Sequence, residues 1–290
     1  MKIILGPASE QLGQELAKLV NVETVHVASR LFPDGESYIR LEGELKNEDA
    51  VIVQTTSPPQ DTRFMQLALI AGAAKRNGAK SVTAIVPYLA YARQDNIFLQ
   101  GEAVSVEIIA GMLKAAGVSN LITVNVHQEK VLTKLPFPAR SLSAIPLLAD
   151  YFKQRGCEKA FALAPDEGAT YIAEQAKKIL GGECGYLEKH RDRYTGQVAM
   201  EKKTLELKGN TVIIFDDIIS TGGTIVAAAK ILKDLGARRV YAACVHPLLI
   251  NNAEERILDA GVEEVIGTDS VPSHVSKVSL APLLSKELAR

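Results

Sequence analysis

The sequence has few of the residues that mark several large classes of protein. Its 290 residues include no Trp, 5% aromatic residues and three cysteines, Cys157, Cys184 and Cys244, which lie far apart. Cysteines so few and so widely spaced predict neither a disulfide framework nor a thiolate metal site, and they favour free thiols in a reducing cytoplasm. No apolar run is long enough to span a bilayer, so we expect no membrane partner.

An excess of charge of one sign is also absent. Lys and Arg number 33 and Asp and Glu number 34, which gives a formal net charge of −1. We therefore expect no nucleic-acid partner, and any phosphate group must be bound locally by loops and a few basic side chains. The N-terminus begins a strand pattern at residues 2–5 without a signal-peptide layout, so we expect a cytoplasmic protein.

Short apolar runs alternate with helical patterns along most of the chain, which predicts an α/β fold with parallel sheets covered by helices. The predicted strands are residues 3–5, 25–28, 51–54, 82–86, 121–126, 160–164, 186–188, 212–215, 240–245 and 264–266. The predicted helices are residues 11–19, 62–76, 104–115, 145–154, 170–179 and 225–235. Ten strands are many for one sheet, and prolines interrupt the pattern at Pro136 and Pro138. We therefore predict two domains, residues 1–140 and 141–290.

Residues 211–224 form the motif around which the rest of the chain is interpreted. An apolar run rich in β-branched residues is followed by Asp216 and Asp217, and then by a small polar loop at residues 220–224 that leads into a helical pattern. This order places backbone N–H groups and a helix N-terminus at the carboxyl end of a strand, which is an anion site. The loop residues are Ser220, Thr221, Gly222, Gly223 and Thr224.

The two acids of this motif indicate which kind of anion the loop binds. A carboxylate repels a phosphate group, but Asp216 and Asp217 can accept hydrogen bonds from the hydroxyl groups of a sugar phosphate, or hold a metal ion. Gly222 and Gly223 let the backbone approach the anion closely. The alternative is that the two acids only begin a turn after the strand.

Polar residues also follow the other predicted strands, where ligands of open α/β sheets bind. In chain order these are Phe32, Asp34, Gly35 and Glu36, then Arg93 and Gln94, then His127, then Asp166, and finally Lys189 and Arg191. The aromatic face of Phe32 and the acceptors that follow it suit an adenine base, although they also suit a Pro-Asp-Gly turn. Arg93 suits phosphate oxygens or a base, although a solvated loop would also contain such residues.

The later strand ends offer metal ligands and cations. His127 suits a metal ion or proton transfer, although a lone His is often structural. Asp166 suits Mg²⁺ carrying a pyrophosphate group, although it can also cap the helix that follows. Lys189 and Arg191 face the same way in an extended chain, so they can bind a polyphosphate or form a solvated basic surface.

Taken in order, these segments resemble the ribose-phosphate pyrophosphokinase family along nearly the whole chain. Its members transfer a pyrophosphoryl group from ATP to ribose 5-phosphate, and the resemblance implies two phosphoribosyltransferase-like domains, each a mostly parallel sheet flanked by helices. Phosphoribosyltransferases share the final loop but lack the earlier series. The segments are Phe-Pro-Asp-Gly-Glu at 32–36, Tyr-Ala-Arg-Gln-Asp at 91–95, Val-His at 126–127, Pro-Asp-Glu-Gly at 165–168, Lys-His-Arg at 189–191, and the loop at 216–224.

The resemblance implies a role for each of these residues, together with Mg²⁺ as cofactor and a homo-oligomer of at least two subunits. ATP would bind Phe32, Asp34, Gly35 and Glu36 of a neighbouring subunit, together with Arg93 and Gln94. Mg²⁺ would bind His127 and Asp166, and catalysis would rest on Lys189 and Arg191. Ribose 5-phosphate would bind Arg191, Asp216, Asp217, Ser220, Thr221, Gly222, Gly223 and Thr224.

Three departures from the family pattern accompany this resemblance. Asn125 stands where many members have an acid, Ser220 replaces an acid in the loop, and the apolar residues 97–99 replace a basic regulatory run. In lacking this basic run, the sequence resembles the archaeal-type members of the family. Two alternatives stay open from the sequence: a phosphoribosyltransferase, and a non-catalytic regulatory homologue of the synthase.

Overall fold

The computed structural model describes residues 1–97, 99–191, 198–201, 207 and 209–289, and for residues 188–191 and 198–201 it describes the backbone alone. These residues form two compact units. The first comprises Met1–Ser143, Ser270–Pro272 and Ser279–Arg290, and the second comprises Ala144–Asp269 and Ser273–Val278. The units differ from the predicted division at residue 140 mainly at the end of the chain, because the last helix packs on the first helix.

The first unit is built around a seven-stranded sheet. Its strands lie in the order β3-β2-β1-β4-β5-β6-β7, and every pair is parallel except β2 with β3. The strands are β1 (Lys2–Leu5), β2 (Thr24–Leu31), β3 (Ser37–Glu42), β4 (Asp49–Val53), β5 (Ser81–Val86), β6 (Asn120–Val124) and β7 (Ala139–Leu142). The helices are α1 (Glu10–Val20), α2 (Gln60–Arg76), α3 (Ser105–Ala116) and α8 (Ala281–Leu288).

Burial explains why the central segments of this unit form strands. Residues 50–53 of β4 and 84–86 of β5 are completely or almost completely buried, as expected for parallel strands covered on both faces. The buried faces of α2 and α3, which include Leu67, Ile70 and Leu113, complete this core. Burial of these side chains is the main favourable term in folding the unit.

The second unit contains a six-stranded, fully parallel sheet in the order β15-β14-β13-β12-β8-β9. Its strands are β8 (Phe161–Ala164), β9 (Cys184–Tyr186), β12 (Thr211–Ile219), β13 (Arg239–Pro247), β14 (Val265–Thr268) and β15 (Ser276–Val278). A separate antiparallel pair is formed by β10 (Glu188–Arg191) and β11 (Val198–Glu201). The helices are α4 (Ile145–Gln154), α5 (Thr170–Leu180), α6 (Gly223–Asp234) and α7 (Ala253–Asp259).

The parallel order of this second sheet brings several strand ends to one edge. Strand β12 lies between β8 and β13, so the carboxyl ends of the three strands are neighbours. Ligands of such sheets bind outside this edge. Within the described parts of the chain, no helix combines the length and apolar character that crossing a bilayer requires.

Candidate functional site

Strand β12 continues past the two acids that the sequence predicted would follow it. The predicted strand ended at residue 215, but β12 runs to Ile219 and stays paired with β13, with Asp216 opposite Cys244 and Ile218 opposite His246. The prediction of the strand end is therefore wrong, because backbone pairing with β13 continues through polar side chains. Asp216 and Asp217 lie inside β12, near its carboxyl end. The alternative that they begin a turn is therefore also wrong.

Two neighbouring carboxyl groups, those of Asp217 and Asp166, act on Asp216 at this edge. The N–H of Asp217 donates to Oδ1 of Asp216 at 2.9 Å. Burial, and then the charge of Asp217, raise the pKa of Asp216 well above its usual range, and the charge of Asp166 acts in the same direction. Because Asp166 follows β8, the strand next to β12, the structure brings together two groups that are 50 residues apart in sequence. This edge favours a cation or hydroxyl donors.

Asp166 stands at the start of a short 3-10 turn, Glu167–Ala169, that leads into α5. Its side chain makes no capping hydrogen bond to this turn, although its backbone carbonyl accepts the N–H of Ala169 at 3.2 Å. The structural reading of Asp166 as a helix cap is therefore not supported, and its carboxylate belongs to the acidic edge around Asp216.

The loop at residues 220–224 joins β12 to α6, which begins at Gly223. Gly222 has a φ of 75°, and a Cβ built on it would lie 2.9 Å from Cδ1 of Ile257 in α7. Both its backbone conformation and its close contact with α7 require glycine here. The loop therefore follows a path that few other residues could adopt at this position.

The carbonyl groups around this loop have hydrogen-bond partners, whereas its N–H groups have no backbone acceptor among the described residues. Four consecutive carbonyl oxygens accept hydrogen bonds: Ile219 from Leu249 N (3.0 Å), Ser220 from Ile250 N (3.1 Å), Thr221 from Arg256 Nη1 (3.3 Å) and Gly222 from Val226 N (2.9 Å). Among the described residues, no backbone carbonyl accepts the N–H groups of residues 221–224. Donors without acceptors at the start of a helix form a site for a phosphate group.

The residues predicted to contact adenine lie at the tip of the β2–β3 hairpin. The Phe32 ring is 38% exposed, Arg30 packs over it at 5.1 Å, and Tyr38 meets it edge-on at 5.9 Å. Asp34 Oδ1 accepts the N–H of Glu36 at 3.3 Å, so this carboxylate also stabilises the turn. The structure thus supports both the turn and an exposed aromatic face.

The other residues predicted for ATP lie in the turn after β5. Arg93 and Gln94 are exposed, and Gln94 Oε1 accepts a hydrogen bond from Ser105 Oγ at 3.0 Å. This bond fixes the Gln94 amide against the start of α3. His127 lies three residues beyond the end of β6 and is also exposed, so the strand ends earlier than the predicted residue 126.

The predicted catalytic pair, Lys189 and Arg191, lies in β10. The backbone of Lys189 pairs with Met200, and that of Arg191 pairs with Val198. Lys189 and Arg191 are two positions apart in this strand. The side chains of both residues lie outside the described part of the structure.

Sequence reasoning did not find α7, which contacts the loop through Ile257 and Arg256. A signal for this helix was present, because Asn252 precedes two acids and an apolar pattern at Ala253 and Ile257. With 7 residues, α7 is too short to show a clear helical periodicity in the sequence.

Comparison with known proteins identifies the family to which these features belong. A model of the N-terminal domain of ribose phosphate pyrophosphokinase matches residues 1–117, and a model of the phosphoribosyl synthetase-associated domain matches residues 197–285. The ribose-phosphate pyrophosphokinases of Methanobrevibacter smithii and Sulfurisphaera tokodaii are 41% and 40% identical to this chain. The matches cover 99% and 100% of this chain, and 99% of each relative. The chain belongs to the ribose-phosphate pyrophosphokinase family.

The fold of a solved structure agrees with this membership. The crystal structure of phosphoribosylpyrophosphate synthetase from Mycobacterium smegmatis matches with a TM-score of 0.87 and 30% identity, covering 100% of this chain and 97% of the other. The predicted family, the predicted fold of two mostly parallel sheets flanked by helices, and the predicted enzyme class are confirmed. Ribose-phosphate pyrophosphokinases act on ATP and ribose 5-phosphate and depend on a metal ion.

Proposed function

We propose that the protein transfers the pyrophosphoryl group of ATP to the anomeric hydroxyl of ribose 5-phosphate, giving phosphoribosyl pyrophosphate and AMP, with residues 216–224 holding the sugar phosphate. The observation that carries this assignment is the loop whose N–H groups at residues 221–224 have no backbone acceptor among the described residues. The acidic edge beside it provides acceptors for sugar hydroxyl groups.

The phosphate of ribose 5-phosphate binds to the N–H groups of the loop and to the hydroxyl groups of Ser220, Thr221 and Thr224. Gly222 and Gly223 carry no side chain that would hinder the approach of the phosphate oxygens. Arg191 adds a positive charge. The dipole of α6, a helix of 12 residues, favours the anion at its N-terminus.

The ribose hydroxyl groups donate to Asp216 and Asp217. Hydrogen bonds to an ionised carboxylate are about twice as strong as those between neutral groups. Burial and neighbouring charges raise the pKa of Asp216, so its ionised form is unfavourable without hydrogen-bond donors and is repelled by the neighbouring carboxylates. A sugar that donates hydrogen bonds relieves this repulsion, so the acids select a polyhydroxylated phosphate over inorganic phosphate.

Mg²⁺ is proposed as the metal ion. No group of three or more His, Cys, Asp or Glu side chains among the described residues could hold a metal ion by itself. Mg²⁺ usually binds one or two carboxylates together with substrate phosphates, and Asp166 at the acidic edge fits this role. His127 is proposed as the other protein ligand, although imidazole suits Mg²⁺ less well than carboxylate does. When bound, the ion supplies charge neutralisation of the triphosphate.

The adenine of ATP is proposed to stack on Phe32 of a neighbouring subunit. Arg30 and Tyr38 hold the ring at the hairpin tip, and Asp34 and Glu36 lie beside it with acceptor oxygens. Gly35, with a φ of 93°, makes the turn that presents these residues. Arg93 and Gln94 hold the rest of the nucleotide, and the active form is a homo-oligomer of at least two subunits.

Lys189 and Arg191 are proposed as the catalytic residues. The anomeric oxygen attacks the β-phosphorus, and negative charge shifts to the leaving AMP. Cations placed for this shifted charge stabilise the transition state more than the ground state, which is the condition for raising kcat. The two residues are two positions apart in β10.

A cytoplasmic location is part of this proposal. ATP and ribose 5-phosphate are intracellular metabolites, and Cys157, Cys184 and Cys244 are free thiols, which fits a reducing compartment.

The test is a reaction with ribose 5-phosphate, Mg²⁺ and ATP labelled at the β-phosphorus. We expect the label in phosphoribosyl pyrophosphate and unlabelled AMP in equal amount, with no product after the metal ion is chelated. A protein that binds ATP but forms no AMP would be a regulatory homologue, and this result would contradict the proposal.

A further inference from the structure

The loop that is proposed to hold phosphate is itself held by one neighbouring stretch of chain. We name residues 248–256, which follow β13 and include the first four residues of α7, the bracing segment. It supplies three consecutive hydrogen bonds to the loop: Leu249 N to Ile219 O, Ile250 N to Ser220 O and Arg256 Nη1 to Thr221 O. No residue of this segment has a role in the reaction proposed above.

These bonds determine where the N–H groups of the loop point. In a trans peptide unit, the C=O and the following N–H point in opposite directions. When the carbonyls of Ile219, Ser220 and Thr221 are directed to the bracing segment, the N–H groups of the next residues in turn are directed away from it. The bracing segment thus fixes the donors before a ligand arrives, and no reorganisation is needed when the phosphate binds.

The bracing segment adopts a backbone conformation that is unusual for its residues. Leu249, Asn251 and Asn252 have φ angles of 47°, 55° and 54°. Left-handed backbone is unfavourable for residues other than glycine, and least so for Asn. Such residues persist where the surrounding structure holds them, and they cluster near functional sites.

Arg256 differs from the other two donors because its bond comes from a side chain. It is exposed on the surface of α7, and the same helix packs Ala253 and Ile257 against Gly222. Its guanidinium group therefore reaches the carbonyl of Thr221 from a helix that the loop already contacts. Removing this group leaves the packing of α7 on Gly222 in place.

We propose that Arg256 is a positioning residue for the sugar-phosphate site. Arg256 donates to the Thr221 carbonyl and so orients the peptide unit between Thr221 and Gly222. In this orientation the Gly222 N–H donates to a phosphate oxygen of ribose 5-phosphate. Its positive charge lies on the far side of the same peptide and favours the anion as well. This inference rests on the proposed role of the loop.

The experiment compares Arg256→Met, Arg256→Lys and Arg239→Met in the full-length protein. Met keeps the length of the side chain but removes its donors and charge, whereas Lys keeps both a donor and the charge. Arg239, at the start of β13 with an ion pair to Glu263 at 3.6 Å, is the matched control. Calorimetric titration gives the Kd of ribose 5-phosphate, and steady-state assays give kcat and both KM values.

For Arg256→Met we expect the Kd and KM of ribose 5-phosphate to rise about fivefold, the scale of one net hydrogen bond. The KM of ATP and kcat at saturating substrate should stay within about twofold, on the same scale. Arg256→Lys should restore most of the affinity, and Arg239→Met should resemble the unmodified protein. A merely structural role would instead lower Tm and the active fraction without this selective effect.

Thr224→Ala separates failure of this inference from failure of the loop assignment. If Thr224→Ala weakens ribose 5-phosphate binding but Arg256→Met does not, the role of Arg256 is wrong. If neither variant changes the Kd of ribose 5-phosphate, the loop does not hold its phosphate, and both proposals are wrong.

Discussion

Each unit contains a loop that joins a central parallel strand to a helix. The two loops differ in whether their backbone N–H groups have hydrogen-bond acceptors in the protein. In the first unit, residues 54–59 join β4 to α2, and in the second unit, residues 220–224 join β12 to α6. Both loops are rich in small polar residues. The first three N–H groups of the first loop are bound by the protein's own acceptors, whereas the N–H groups at residues 221–224 have no backbone acceptor among the described residues.

The first three residues of the first-unit loop have acceptors for their N–H groups within the protein. The N–H groups of its first three residues are accepted by Ile85 O (3.0 Å), Ser9 Oγ (2.8 Å) and Tyr88 O (3.1 Å). Pro58 and Pro59 have no N–H group to offer. The Thr56 hydroxyl, which is 1% exposed, donates to Tyr88 O at 2.7 Å and accepts the N–H of Ala90 at 2.9 Å. Residues 54–57 of this loop are buried, whereas Pro58 and Pro59 are exposed.

At the second-unit loop the carbonyl oxygens of residues 219–222 accept hydrogen bonds, and no backbone carbonyl of the described residues accepts the N–H groups of residues 221–224. The comparison teaches that a strand, a small polar loop and a helix are not sufficient for an anion site. Since the first N–H groups of any helix lack helical acceptors, we expect the difference to lie in the residues before the helix, where glycine at position 222 replaces Pro58 and Pro59. The following predictions test this difference, beginning with the largest expected effect.

Lys189→Ala should lower kcat at least about a hundredfold, the scale for loss of one preorganised electrostatic group. The KM of ATP should change much less, because the cation acts on the transition state. The double variant with Arg191→Ala should lose less than the product of the two single effects. Lys177→Ala, which removes an exposed ion pair with Glu183, is the control. A normal kcat with a raised KM would make Lys189 a binding residue only.

Asp216→Asn should weaken ribose 5-phosphate binding by roughly 1–3 kcal/mol, because an ionised acceptor is lost. The same change should stabilise the free protein on the order of 1 kcal/mol, as for other substitutions that relieve strain at a functional site. Thermal unfolding and calorimetric titration measure the two effects, with Asp234→Asn on α6 as the control. An unchanged Kd would remove Asp216 from the site.

The pH dependence of this stabilisation has a definite sign. Because the folded protein raises the pKa of Asp216, it binds the proton more tightly than the unfolded chain does. The free energy of unfolding should therefore fall as pH rises from the ordinary Asp pKa, about 4, through the raised folded value. Asp216→Asn should remove this part of the pH dependence. If the difference between the two proteins does not vary with pH, the carboxylate is not strained.

Gly222→Ala should weaken ribose 5-phosphate binding about tenfold. Its φ of 75° costs a non-glycine residue about 1 kcal/mol, and the new Cβ must displace Ile257. Gly156→Ala is the matched control, because Gly156 has a φ of 81° in the same unit and nothing within 4 Å of a built Cβ. Equal effects of the two substitutions on the Kd would show that contact with α7 is unimportant.

Thr56→Val and Thr224→Val make the same substitution in the first-unit loop and in the second-unit loop, so they compare the two loops directly. Thr56→Val should destabilise the protein by about 1–3 kcal/mol, since it leaves a buried N–H without its acceptor. It should leave the KM of ribose 5-phosphate unchanged. Thr224→Val should raise that KM severalfold and change Tm little. The opposite pattern, measured by thermal unfolding and steady-state kinetics, would mean that the closed loop is the binding loop.

Much of this fold could be predicted from hydrophobic periodicity. The predicted helix at residues 145–154 coincides with α4, and the predicted helices around α1, α2, α5 and α6 differ from the observed ones by at most three residues at either end. These helices bury a regular apolar stripe, so sequence and tertiary packing favour the same structure. Strand β3 was missed because its two faces are both half exposed, with Arg40 and Glu42 among its residues.

The residue types of the site could be predicted from the sequence, but the contacts that hold them in place could not. Strand, glycines and acids pointed to an anion loop, yet the extension of β12 through Ile219 depends on pairing with β13, which is distant in sequence. For the same reason the bracing segment could not be predicted. Its left-handed residues and the reach of Arg256 to Thr221 become visible only when α7 packs on Gly222.

The central claim is that the open loop of the second unit binds ribose 5-phosphate through N–H groups at residues 221–224. Amide hydrogen exchange of the two loops, with and without ribose 5-phosphate, tests it most directly. The account predicts fast exchange at residues 221–224 in the free protein and strong protection with the ligand, while residues 54–56 exchange slowly in both states. Ligand protection at residues 54–56, with none at 221–224, would contradict it.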